Sequence, residues 1–259
     1  MPNKLLIILL LFPTLCNGIE ISSHAATIVG HKIWKNECGG KVEALTTWNE
    51  GEEFASIGIG HFIWYPKGYE GPFDEQFPKL LQYFENEGVS LPLWLKNSKE
   101  CPWTSRECFN NDLKENKLTK LRLILLNTVD LQVNFMVNKL SSLLPRLLAA
   151  SPEQDHDLIK ARFARVLESD AGIYAILDYI NFKGDGTNPS ERYDGKGWGL
   201  LQVLQTMDDC NDAIDDFVTA GKKVLNTRIE RAPPERNEGR WMKGWYNRLD
   251  TYLDTSLTS

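Results

Sequence analysis

The fold is decided by residues 37–61, ECGGKVEALTTWNEGEEFASIGIGH. Just before this stretch, apolar residues recur every three to four positions and predict a helix over 22–37, which the following glycine pair ends. Within it, the pattern changes to β-favouring residues on both sides of a turn, which predicts a small hairpin or meander over 42–61. Gly58 and Gly60 lie inside the second predicted strand, where glycine indicates a bulge or a close backbone approach.

The rest of the chain has the spacing of helices. They are predicted at about 74–87, 113–148 (broken near Pro145), 153–168, 170–182, 208–230 and 235–254. Residues 64–73, rich in proline, glycine and aromatic residues, are predicted to form a loop, and 181–199 is a long polar, glycine-rich loop of the kind that is functional or disordered. The predicted fold class is α+β and mostly α-helical, with a small N-terminal β lobe over 19–112. A helical lobe around a long central helix is predicted over 113–259.

Composition favours a single globular domain. The chain has 259 residues, of which 42% are hydrophobic and 25% charged, and one core accounts for a chain of this length. The net charge of −6 gives no basic footprint, so we expect no nucleic-acid partner. We expect a monomer and no stable membrane insertion, because the most apolar later stretch, 121–148, is interrupted by charges.

The first eighteen residues have the layout of a secretory signal peptide: Lys4, an apolar run, Pro13 and small residues up to Gly18. A lipoprotein anchor at Cys16 is a weaker alternative. We therefore expect an exported protein, periplasmic or secreted. Removal of this segment changes the net charge from −6 to −7 and the number of cysteines from 5 to 4.

An even number of cysteines in an exported chain favours disulfides. Cys101 and Cys108 bracket a short loop and are expected to pair, which leaves Cys38 to pair with Cys210. Buried free thiols are the alternative. The cysteines form no CxxC pair and the histidines show no HExxH spacing, so we expect neither a metal nor a cofactor.

Acidic residues are concentrated around the hairpin. Glu37 lies at the helix end, where partial burial favours a protonated carboxyl, and further glutamates follow on the hairpin. Glycoside hydrolysis needs such a pair: one acid protonates the leaving oxygen, and one carboxylate positions water or stabilises the developing cation. Exposed glutamates on a hairpin are otherwise ordinary solvated residues.

A helix-terminal Glu followed by a hairpin ending in SIGIGH, here Glu37 and 56–61, resembles the N-terminal lobe of phage-type lysozymes, the endolysins that cut peptidoglycan. The resemblance implies that Glu37 is the catalytic acid and that Ser56 helps to place water. The second carboxylate falls on Glu50 by its offset of six from Ser56, with Glu53 or Glu52 as alternatives. Segments 176–193 and 228–249 are similar to lysozyme cleft and terminal helices, and 197–204 to a segment of goose-type lysozymes and lytic transglycosylases.

Four further residues are candidates for binding a polysaccharide. His61 is expected to hold the hairpin through a ring hydrogen bond rather than to act as acid or base. Trp64, Tyr65 and Trp198 lie in the two loops, where aromatic rings can stack on sugars, although such rings are more often part of the core.

The predicted function is thus an exported glycosidase that acts on β-1,4 links of an amino-sugar polymer. Peptidoglycan is the first substrate, and chitosan is the alternative because an acidic protein suits a cationic polymer. A lysozyme-fold protein that binds glycan or protein without catalysis is the second hypothesis.

Overall fold

The computed structural model describes residues 19–96, 98, 100–113 and 116–254; the predicted signal peptide and Cys16 lie outside the described residues. The mostly helical α+β class is confirmed. The helices are α1 Ser23–Cys38, α2 Phe77–Asn86, α3 Leu93–Lys96, α4 Arg106–Asn111, α5 Asn116–Leu126, α6 Val129–Ala149, α7 His156–Val166, α8 Asp170–Lys183, α9 Leu200–Thr206, α10 Ala213–Arg231 and α11 Met242–Asp250. The strands are β1 Thr46–Thr47, β2 Ala55–Ile57, β3 Phe62–Trp64, β4 Arg192–Tyr193 and β5 Lys196–Gly197.

Helix α1 forms where the sequence predicts it. The Ser22 hydroxyl accepts a hydrogen bond from the Ala25 amide at 3.1 Å and caps the helix, and Gly39 ends it with a φ of 59°. One face packs against α6, where Gly30 permits close contact, because a Cβ atom there would lie 2.4 Å from Val129 Cγ1. This contact joins the N-terminal lobe to the rest of the core.

The predicted hairpin is an antiparallel sheet in the order β1-β2-β3, with Ser56 opposite Thr47 and Ile63. Strand β2 ends at Ile57, so the two glycines of the motif form a turn rather than part of a strand. Gly58 has a φ of 77°, and a Cβ atom there would lie 2.5 Å from Gln132 Oε1. The same oxygen accepts the Ile59 amide at 3.0 Å, so the turn is anchored to α6.

The predicted segment 113–148 is a helix pair, but its break lies elsewhere. Helix α5 ends at Leu126 and α6 begins at Val129, whereas Pro145 lies within α6, exposed, in its second-last turn. The buried Gln132 amide donates to the carbonyl oxygens of Leu125 at 2.7 Å and Thr128 at 3.2 Å. These bonds tie the end of α5 to the start of α6, which stabilises the break.

Helix α8 is the most deeply buried helix of the second lobe, since every residue from 171 to 179 is buried. Its end leads into the loop 184–199, which contains the short ribbon β4-β5, and then into α9, a helix that the sequence patterns did not predict. Helix α10 packs against α8, and α11 is joined to α8 by the hydrogen bond from Arg248 to Asp178. The helical lobe therefore brings the ends of α8, α10 and α11 towards the sheet of the first lobe.

No helix in the described part of the chain has the length and apolar character needed to cross a membrane.

Candidate active site

Glu37 lies in the last turn of α1, between the two lobes. Its side chain is 14% exposed. One carboxylate oxygen accepts a hydrogen bond from Nη2 of Arg248 in α11, and the other lies 3.7 Å from Nδ1 of His61 in the hairpin turn. The predicted catalytic acid is thus held between residues that follow it by 24 and by 211 positions in the sequence.

A buried network fixes Arg248. Its Nε and Nη2 atoms donate to the carboxylate of Asp178 at 2.8 and 2.9 Å, and Asp178 itself is 0% exposed. The Tyr252 hydroxyl and the Asn36 amide also donate to Asp178, at 2.6 and 3.2 Å. Burial alone lowers the pKa of Arg248, but the hydrogen bonds and the charge of Asp178 outweigh it and raise the pKa above its ordinary value. Arg248 is therefore a permanent, fixed cation beside Glu37.

His61 contacts both Glu37 and Cys38. Its backbone has a positive φ of 48°, which turns the chain from the glycine turn into β3. Its Nε2 atom lies 3.5 Å from Cys38 Sγ, and that thiol also donates to the Ala44 carbonyl oxygen at 3.5 Å. Burial, with a smaller contribution from the charge of Glu37, raises the pKa of Cys38 to about 12. Both ring contacts of His61 thus join the hairpin turn to the end of α1, and the contact with Glu37 was not predicted.

A first depression, the hairpin cleft, has a volume of about 560 Å³ and lies beside His61. Ser56, Glu52 and Glu53 line it, and Ser56 is buried at 4% exposure. The Glu52 carboxylate accepts a hydrogen bond from the Asn49 amide at 3.0 Å. Glu50 is exposed on the turn between β1 and β2 and is not part of this lining. The structure thus brings Ser56, Glu53 and His61 together and leaves Glu50 outside the cleft.

A second depression, the main cleft, has a volume of about 880 Å³ and is lined by residues of β3, α6, α8, α10 and the loop after α8. It shares Ile63 and Phe73 with the hairpin cleft, so the two depressions adjoin. Phe182 also lines the main cleft, and the Arg248 guanidinium lies 4.4 Å from its ring centre. Glu37 therefore contacts His61 of the hairpin cleft directly. On its other side it contacts Arg248, which in turn packs on Phe182 of the main cleft.

The three predicted aromatic residues differ in position. Trp64 is 0% exposed in β3, with its ring centre 4.6 Å from that of Phe77, so its predicted loop position and sugar contact are wrong. The buried Tyr65 lines the hairpin cleft, and its hydroxyl accepts the Phe73 amide at 3.3 Å. Trp198 is 8% exposed and lines the main cleft. The prediction for Trp64 was wrong because the loop begins only after β3, at the prolines and glycines that follow this residue.

The predicted disulfides are not formed: all four cysteines in the described part of the chain are free. Cys38 and Cys101 are buried, whereas Cys108 and Cys210 are exposed. Each predicted pair thus joins a buried thiol to an exposed one. Cys101 points into the core beside the bridge to Pro66, and Cys108 lies on α4 near the Thr104 hydroxyl, at 3.7 Å. Their close spacing in sequence therefore does not bring the two sulfurs together.

Four residues of the candidate site and the main cleft were missed by the sequence reasoning: Arg248, Asp178, Lys183 and Arg228. A signal existed for two of them, because Asp178 and Lys183 interrupt or end the apolar stretch of α8, where a charge requires a special partner. The two arginines are ordinary in composition, and only the fold shows their position.

Comparison of the chain with family models, with curated proteins and with solved structures gave no match.

Proposed function

We propose that the protein is an exported, lysozyme-like glycoside hydrolase that cleaves β-1,4 links of an amino-sugar polymer, in the first place peptidoglycan, with Glu37 as general acid. The observation that carries the proposal is the Glu37 carboxyl, 14% exposed, in contact with His61 of the hairpin cleft and with Arg248, which packs on Phe182 of the main cleft. Glu37 lies behind these residues rather than in the lining of either cleft, and the proposal requires a polymer bound across both clefts to come within reach of its carboxyl. Proton donation to the leaving oxygen at that point is the first requirement of glycoside hydrolysis.

Arg248 is the positioning residue in this proposal. A general acid that has given up its proton becomes a carboxylate, and the guanidinium stabilises that product charge. Because Asp178 and Phe182 hold Arg248, the cation needs no rearrangement when the charge appears. His61, on the opposite side, limits the movement of the Glu37 side chain.

The second carboxylate is assigned to Glu53 rather than Glu50. Glu53 lines the hairpin cleft with Ser56 and His61, whereas Glu50 is not among its lining residues. Glu52 also lines it, but its carboxylate is bonded to the Asn49 amide. A carboxylate beside the Ser56 hydroxyl can orient a water molecule or stabilise the cation that develops on the sugar. This assignment makes the order of effects at the two glutamates a direct test.

The experiment is mass-resolved analysis of soluble products released from purified peptidoglycan by the mature protein. Glu37→Gln keeps size and hydrogen bonding but carries no transferable proton, and is expected to lower the rate at least about 10²-fold. Glu53→Gln is expected to lower it more than Glu50→Gln. Glu43→Gln is the matched control, because Glu43 is exposed on the same lobe and lies in neither cleft.

Full activity of Glu37→Gln, or no saccharide product from the wild-type protein, would overturn the proposal. Retained saccharide binding by a protein that forms no product would instead support the non-catalytic binding function.

A further inference from the structure

Lys183 is an unusual cation at the rim of the main cleft. It is the last residue of α8, and its Nζ atom lies 3.6 Å from the ring centre of Trp245 and 4.1 Å from that of Phe182. No residue in the described ranges forms a hydrogen bond or an ion pair with this ammonium group. Its attraction to the two rings does not replace a counter-ion.

The other basic residues of the main cleft all have acidic partners. Lys139 lies 3.9 Å from Asp74, and Lys79 also contacts that carboxylate. The remaining two pairs are Arg146 with Asp185 at 2.7 Å and Arg228 with Glu238 at 2.6 Å. Lys183 alone, of the five basic residues lining this cleft in the described chain, lacks such a partner.

The surroundings of Lys183 are built for an anion. The Arg228 guanidinium lies 5.2 Å from the ring centre of Trp245, the ring that Lys183 also contacts, and 4.0 Å from that of Trp198. The Asn181 amide nitrogen, two residues before Lys183, is buried and has no hydrogen-bond partner among the described residues, and Asn181 lines the same cleft. Arg228 is paired with Glu238 but adds a second positive charge, and together with Lys183 and the unused Asn181 donor it matches a carboxylate carried on a sugar.

We propose that Lys183 and Arg228, with the Asn181 amide, form a subsite of the main cleft that binds a carboxylate substituent of the saccharide. The proposal rests on the saccharide cleft of the proposed function and adds the charge of the substrate: the site selects an acidic polymer. A de-N-acetylated, cationic polymer is repelled at this point. The ring of Trp198, which lines the main cleft, gives the sugar itself an apolar surface.

The electrostatics of the site agree with this assignment. Burial, with smaller contributions from the cations Arg228 on α10 and Arg248 on α11 and against the opposing charge of Glu238, lowers the pKa of Lys183 to about 7. A bound carboxylate would reverse part of this effect, because it favours the protonated amine. Binding of the anion is therefore expected to be coupled to proton uptake at Lys183 and to weaken as the pH rises above 7.

The test is equilibrium binding, measured by titration calorimetry with three matched probes. They are a β-1,4-linked N-acetylglucosamine tetramer, the same tetramer with 3-O-lactyl carboxylates on alternate sugars, and the methyl ester of that acid. At pH 6 the acid is expected to bind about tenfold more tightly than the ester, which is the range of one charge-assisted hydrogen bond.

Three variants complete the design. Lys183→Met is expected to abolish the preference for the acid over its ester. Lys183→Arg keeps its charge at every pH of the experiment, so it is expected to keep the preference for the acid over the ester. In this variant the preference should not decline between pH 6 and pH 9. Lys222→Met is the control, because Lys222 also lies near an aromatic ring but has Asp250 as partner.

An acid-to-ester ratio near one in the wild-type protein, or a ratio unchanged by Lys183→Met, would overturn the subsite. If millimolar inorganic phosphate displaces the acid and the protein shows no preference for the acid over the ester, the two cations bind free phosphate rather than a sugar carboxylate. This result would also overturn the subsite. The measurement needs no turnover, so it is independent of Glu37. A protein that prefers the acid but releases no product would refute hydrolysis and leave the subsite standing.

Discussion

Replacement of Lys183 by methionine is expected to stabilise the folded protein at low pH. The substitution keeps the length and apolar contacts of the side chain and removes a charge that is buried without a counter-ion. The drop in the pKa of Lys183 from its ordinary value of 10.5 to about 7 corresponds to about 5 kcal/mol at 1.36 kcal/mol per pH unit. Attraction of the ammonium to the rings of Phe182 and Trp245 offsets about 1 to 2 kcal/mol of this cost. The expected gain at pH 6 is therefore about 3 to 4 kcal/mol.

The sign of the pH dependence follows from where the proton is held. Below pH 7 Lys183 is protonated in both the folded and the unfolded chain, so the full cost of the buried charge is present. Between pH 7 and 10.5 the unfolded chain keeps the proton that the folded protein has lost, so the wild-type protein gains stability relative to the variant. The advantage of Lys183→Met is expected to shrink by about 3 kcal/mol between pH 7 and pH 9.5.

Urea unfolding of both proteins at pH 6, 7, 8 and 9.5, in buffers without carboxylate or phosphate, measures this difference. Lys222→Met, which removes an ammonium paired with Asp250 near the surface, is expected to change the free energy of unfolding by no more than about 1 kcal/mol at every pH. A difference between Lys183→Met and wild type that does not vary with pH would refute the reasoning. So would a loss of stability at pH 6.

Three further predictions concern the rest of the core. Arg248→Ala leaves the buried Asp178 without its cation and is expected to cost about 3 to 5 kcal/mol in urea unfolding. Gly172→Ala would place a Cβ atom 1.6 Å from a backbone oxygen, and at least about 3 kcal/mol should be lost, visible as a lower thermal midpoint. Iodoacetamide at pH 7.5 should label Cys108, because neighbouring hydroxyls lower the pKa of its thiol. The buried Cys38 should be labelled only after the protein is unfolded, with no reductant added. Peptide mass spectrometry distinguishes the two sites.

Local patterns were sufficient for the elements around the site. Helix α1 begins and ends within one residue of the predicted 22–37, because its cap, its apolar spacing and its terminal glycine all lie within the segment. The hairpin was predicted for the same reason. The turn at residues 58–61 was wrongly predicted as part of a strand. The turn depends on the hydrogen bond from the Ile59 amide to Gln132, 73 residues away, and no local pattern shows that bond.

The contacts that define the candidate site are long-range in sequence. Glu37 and Ser56 could be proposed from a motif, but Arg248 reaches Glu37 across 211 residues and Asp178 across 70. Glu50 was preferred over Glu53 because of its sequence offset from Ser56. The offset does not predict which turn residue lines the cleft, and in the structure that residue is Glu53. Side-chain direction on a short turn depends on backbone angles that composition does not determine.

The net charge of the whole chain differs in sign from the charge of the main cleft. The acidic balance of the whole chain, −6, kept a cationic polymer in consideration, yet the main cleft is lined by five basic and three acidic residues. Charges beyond about 8 to 10 Å are largely screened at physiological ionic strength, so a bound polymer experiences the groups of the cleft rather than the average of the chain. An ammonium kept in the cleft without a counter-ion lowers stability, and the bound carboxylate that we propose would offset that cost. On this argument an acidic protein is suited to an acidic glycan, because the attraction is local to Lys183 and Arg228.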